Sequence, residues 1–151
     1  MKKFRFTLDA VLKLKRASED AALKQFGAAT RRRQEALLAL ESARRQMGAL
    51  LTAIRQAREA GAVSGWAQAA YVREVSRQEA ICKHAEEFLT HCTKEETAAR
   101  EHYLKCRREA ETIEKLGQKR LQEHQKQLSR ALELELEEIV LSKEHRLCNR
   151  H

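Results

Sequence analysis

Apolar residues recur along this chain in alternating steps of four and three. Ala22, Phe26, Ala29, Arg33, Ala36, Leu40, Ala43, Met47, Leu50, Ile54 and Ala57 form a first run, with Arg33 its one polar member. Cys82, Ala85, Leu89, Cys92, Glu96, Ala99, Tyr103, Cys106, Ala110 and Ile113 form a second, with Glu96 its one exception. A repeat of about 3.5 residues marks the narrow seam of a coiled coil, not the wider apolar face of a globular helix. Between the runs, Gly61-Ala62-Val63-Ser64-Gly65 supplies two glycines and a capping serine. The pattern predicts an all-α fold, a long antiparallel two-helix coiled-coil hairpin with a longer C-terminal helix. Residues 1–151 form a single hairpin on this reading: helix one over about 8–60, a turn at 61–65, and helix two over about 66–147.

Local signals support these ends. Thr7 is placed to cap the first helix, Asp9 sits favourably in its first turn, and Phe6 is placed to staple onto Val11. Ser64 caps the second helix, with Gly65 and Trp66 opening it. At 1.5 Å per residue the helices measure about 80 and about 120 Å, so folding at the turn sets Leu8 roughly opposite residue 118. The last thirty or so residues are then left without a partner in the chain. There Leu121, Leu128, Leu132, Leu136 and Ile139 continue one stripe, and Leu134 and Leu141 begin a second. Apolar residues on more than one side of an unpaired helix imply burial in another molecule, or in a second copy that pairs the overhangs.

Composition sharpens this picture. Proline is absent, aromatics make up 5%, and charged residues 34%, which suits long helices with solvated faces and no thick core. The net charge of +8 lies wholly in the first sixty residues, where fourteen Lys/Arg face six Asp/Glu; the remainder balances sixteen against sixteen. A basic first helix faces an acidic protein surface, an anionic membrane or a nucleic acid. Against nucleic acid, no aromatics interleave with Arg31-Arg32-Arg33 or Arg44-Arg45. The basic, aromatic leader of residues 1–6, with Val11, Leu12 and Leu14, would also suit an anionic membrane surface. Asp9, Lys13, Lys15 and Arg16 interrupt any secretory signal, and no run approaches the roughly 20 apolar residues of a membrane span. A cytoplasmic protein is expected.

Candidate chemistry is sparse. Cys82, Cys92 and Cys106 stand about 15 and about 21 Å apart along one helix, too far to pair, and read as reduced seam thiols. His102 with Cys106, and His145 with Cys148, each supply half of a metal site at most, so no metal or other cofactor is expected. No phosphate-binding glycine loop and no paired acid and base appear, so an enzyme is not expected. Trp66, the one tryptophan, either plugs the open end of the hairpin or joins Tyr71, Val72 and Val75 in an exposed patch at its tip.

Phe4-Arg5-Phe6-Thr7-Leu8-Asp9-Ala10-Val11-Leu12 resembles the N-terminal pattern of the FliJ family of flagellar type III export proteins. The likeness extends over the chain in length, basic charge, hairpin turn and the segment from Gly61 to Tyr71. It implies a stalk similar to the gamma subunit of rotary ATPases. Its paired ends would enter and stimulate the hexameric export ATPase FliI, and its side would contact the export gate FlhA. It also implies a place among FliH and export chaperones at the cytoplasmic face of the inner membrane, held peripherally through partners, with a chain that is monomeric alone. Phe4, Phe6, Leu8 and Leu12 with Leu132, Leu136 and Ile139 are the residues this resemblance assigns to the ATPase. Trp66, Tyr71, Val75 and His84 are those it assigns to the gate. Stalk proteins of virulence secretion systems look similar, and a basic coiled coil that binds nucleic acid or an anionic membrane is the alternative from another class.

Overall fold

The computed structural model describes residues 3–61 and 63–148. Met1 and Lys2 of the basic leader, and Ala62 of the turn, lie outside the described residues. Two helices, α1 (Asp9–Glu59) and α2 (Gly65–Cys148), account for the fold, an all-α hairpin in which they pack against each other; among the described residues there is no strand. The turn follows from local chemistry. Gly61 takes φ +69°, a left-handed conformation in which a side chain is strained, and its N–H donates to the Arg58 carbonyl at 3.1 Å to close the last turn of α1. Ser64 Oγ accepts the Ala67 N–H at 3.2 Å, satisfying one of the free donors that open α2.

By internal contacts the chain divides into two compact units, Asp20–Lys105 and Met1–Glu19 with Cys106–His151. In the first, the seam is the stripe expected from the sequence. Ala22, Ala36, Leu40, Ala43 and Ile54 of α1 and Cys92 of α2 are buried, and the other stripe positions in this unit are half-buried. Small side chains dominate the buried layers, with Leu40 and Ile54 the larger groups among them. Phe26 and Tyr103 make another layer, their rings stacked at 6.3 Å between centroids and 9° between planes. The two polar exceptions to the stripe meet each other: Arg33 donates through Nε to the Glu96 carboxylate. Arg44 pairs with Glu86 at 3.1 Å and Arg32 with Glu95 at 3.7 Å along the flanks.

The stripe on α2 also reaches further toward the turn than expected. Tyr71 and Val75 are half-buried and Gln78 is buried, all in the same four-and-three steps. Gln78 Nε2 reaches Glu74 at 3.4 Å, while its Oε1 has no hydrogen-bond partner. Trp66 does not plug this end: it is 81% exposed, because it sits in the first turn of α2, ahead of the first layer of the seam.

In the second unit, Leu8, Leu12, Lys15 and Glu19 carry the same steps along α1 and are half-buried. Cys106 and Ala110 of α2 are buried. Lys15 donates to Glu109 at 2.9 Å, and Arg16 holds Glu19 at 2.7 Å and Glu114 as well.

Candidate functional site

Two surfaces stand out, one in each unit. The first is the end of α2. From Gln125 to Cys148 every residue except Leu128 is exposed, including Leu132, Leu134, Leu136, Ile139, Val140, Leu141 and Leu147. At 100° per residue, Leu132, Leu136, Ile139, Val140 and Leu147 fall within an arc of about 100°, while Leu134 and Leu141 face the opposite side. Glu133, Glu135, Glu137 and Glu138 fill the borders between them, and no lysine or arginine lies between Ala131 and Ser142. A solvated helix face does not expose this much apolar surface on two sides.

Beside this stripe lies the leader. Phe6 places its ring over Gly117, where a Cβ would stand 3.1 Å from the ring. Phe4 meets the His124 ring at 5.4 Å between centroids, and Arg120 donates to Thr7 Oγ1 at 3.3 Å. The bare backbone at Gly117 offers the Phe6 ring a bed on α2, while Val11, the expected staple partner of Phe6, is 37% exposed. Of the residues assigned from the sequence, Phe4, Phe6, Leu8 and Leu12 are half-buried in this unit, and Leu132, Leu136 and Ile139 are exposed on α2. Gly117, Arg120 and His124 were not singled out from the sequence. The available signal was a glycine inside a helix, which costs about 1 kcal/mol relative to alanine unless something uses the space.

Electrostatics at this end are simple. The hydrogen bond from Lys15 to Glu109, reinforced by that carboxylate's charge, raises the lysine above its ordinary 10.5. Arg16 is raised chiefly by its hydrogen bond to Glu19, with Glu114 adding to it. Both cations also reach from α1 to α2, Lys15 to Glu109 and Arg16 to Glu114.

The second surface lies at the turn end of the other unit. Leu51, Ile54, Tyr71, Val72 and Val75 line an open groove of about 430 Å³, with Arg58 and Glu79 at its edges. Val72 is 60% exposed and Trp66 stands free nearby in sequence, whereas Tyr71 and Val75 present only their outer edges. His84 is exposed further along α2. The structure thus brings Tyr71 and Val75 into one groove, but does not gather Trp66 and His84 into its lining.

Among the described residues, no group of three or more His, Cys, Asp or Glu side chains is placed to hold a metal ion, and Cys82, Cys92, Cys106 and Cys148 are free thiols. No described helix is long and apolar enough to cross a membrane. Compared with known proteins, the chain matches the family model for the flagellar FliJ protein over residues 4–146, whereas no curated protein and no solved structure gives a significant match.

Proposed function

Because the chain belongs to the FliJ family of flagellar type III export components, we propose that it is a non-catalytic, gamma-like stalk of the export ATPase. The observation that carries this reading is the end of α2, whose apolar residues emerge on two sides with nothing among the described residues to cover them. A helix of that kind is suited to a socket that surrounds it, as a ring of six ATPase subunits would. Phe4, Phe6, Leu8 and Leu12 would enter with Leu132, Leu136 and Ile139. Binding that favours assembled over separate ATPase subunits would shift the population toward the ring and raise turnover by differential affinity alone.

The turn end would then face the export gate FlhA, with Trp66 and the groove of Tyr71 and Val75 as anchors and His84 on the flank. In this arrangement the protein stays at the cytoplasmic face of the inner membrane through its partners, FliH and export chaperones among them. The family match favours the flagellar apparatus over a virulence secretion system. Nucleic-acid binding is the weaker reading, since Arg32, Arg33 and Arg44 are already engaged by Glu95, Glu96 and Glu86.

The test is to add the chain, or a chain truncated after His124, to the cognate export ATPase and follow ATP turnover and oligomer formation. The full chain should raise both and the truncated chain neither, while the helical content of the remaining hairpin persists. Equal stimulation by the truncated chain refutes the reading. Retained binding to nucleic acid after the same truncation, falling steeply with salt, would favour the other class, since the basic excess precedes residue 61.

A further inference from the structure

Three glycines lie inside the helices at Gly27, Gly48 and Gly117. A Cβ built at Gly27 or Gly48 meets nothing within 4 Å, whereas one at Gly117 meets the Phe6 ring at 3.1, 3.2 and 3.4 Å. Gly117 alone of the three is therefore occupied by another part of the chain. The contact is not isolated: Arg120 donates to Thr7 Oγ1 at 3.3 Å and His124 packs its ring against Phe4 at 5.4 Å. The leader before α1 is thus held at three successive points on α2.

The face that receives it matters. Gly117, Leu121, His124 and Leu128 follow one another in steps of four, three and four, so they share one side of α2. Leu121 is 38% exposed and Leu128 half-buried, and the stripe of Leu132, Leu136 and Ile139 continues from them. Two phenylalanines laid on Gly117 and His124 widen that stripe at its inner end, and both stay only half-buried.

We infer that Gly117, Arg120 and His124 are positioning residues that dock the leader beside the exposed stripe of α2, so that one preassembled apolar surface meets the partner. The inference rests on the ATPase-binding reading above and adds how that surface is built. A leader that was free would have to be ordered at the moment of binding, and each immobilised side chain would weaken association. Docked on α2, Phe4 and Phe6 have lost that freedom before the partner arrives.

Gly117→Leu tests the inference cleanly, because leucine improves helix propensity at this site while its side chain occupies the bed of Phe6. Two measurements on the full chain decide it. First, trypsin cleavage after Arg5 should be faster in the variant than in the native chain, with cleavage beyond the leader unchanged. Second, the concentration of chain that half-maximally stimulates the cognate export ATPase should rise about tenfold, the scale expected for ordering two side chains, while maximal stimulation stays the same. Phe6→Ala should cost at least as much, since it also removes a side chain that meets the partner, and Phe6→Ala with Gly117→Leu no more than Phe6→Ala alone, since the docking contact is already gone. Gly117→Ala, which asks the ring to shift by only a few tenths of an ångström, should restore most of the affinity.

Unchanged trypsin cleavage in Gly117→Leu overturns the docking. Unchanged half-stimulating concentration, with the native chain active, overturns the presentation of a joint surface and leaves the ATPase reading standing. Loss of maximal stimulation in Gly117→Leu also overturns it, since that marks damage to the stalk and not to preorganisation. A native chain that neither binds nor stimulates the ATPase overturns both readings together.

Discussion

Arg33 and Glu96 occupy seam positions that every neighbouring layer fills with an apolar side chain, and their pairing makes a specific energetic claim. Their side chains retain 32% and 22% exposure, so the pair is neither fully desolvated nor a surface contact. Breaking a buried pair costs about 3–5 kcal/mol, because a charge is stranded. Exposed pairs contribute about 0.2–1 kcal/mol. The intermediate burial here places Arg33→Met or Glu96→Leu, each made alone, at a loss of about 1–2 kcal/mol. Replacing both should recover most of that loss, since two apolar side chains then complete a seam layer without a stranded charge. The coupling between the sites should be about 1 kcal/mol or more, read from a double-mutant cycle on urea unfolding followed by helical ellipticity. Losses that simply add, with the double variant the least stable of the set, would refute the claim that the layer is held by this pair. A double variant of unchanged stability that forms mixed oligomers would show that the pair selects register and partner, as buried polar groups do in some coiled coils.

Other outcomes follow from single sites. Leu40→Ala, at a position only 4% exposed, should lower stability by about 2–4 kcal/mol in the same unfolding assay, as expected for a core truncation. Ser64→Ala removes the acceptor for the Ala67 N–H and should cost about 1 kcal/mol, with Ser64→Asp restoring it. Lys15 has a folded value raised above its ordinary 10.5 by Glu109, so its stabilising effect is complete below about 10.5 and is lost as pH climbs through the raised value. Lys15→Met should therefore flatten the decline of the unfolding midpoint over that alkaline range; an unchanged slope would count against the pair. Trp66, 81% exposed, should be readily quenched by acrylamide in the free chain and shielded when the soluble part of the export gate is added.

The fold class was readable because it rests on periodicity, which is a local property of the chain. Alternating steps of four and three at Ala22 to Ala57 and at Cys82 to Ile113 allow one helical seam each, and none of those positions is exposed in the structure. Gly61 and Ser64 likewise announce a turn through conformational freedom and hydrogen-bonding capacity that each residue carries by itself. The apolar residues of the α2 end were equally legible, since nothing among the described residues alters their exposure.

What periodicity does not state is which residue of one helix opposes which residue of the other. Only the register of the packed helices brings Arg33 to Glu96 and Phe26 to Tyr103, and only there do two breaks in the pattern become one complementary layer. The leader shows the same division. Its phenylalanines were visible in the sequence, but their bed was not, because Gly117 lies 111 positions from Phe6 and is defined by space it leaves and not by a group it bears. Chain chemistry alone decided the helices and their apolar stripe; the antiparallel packing decided where charge finds charge and where an aromatic ring finds bare backbone.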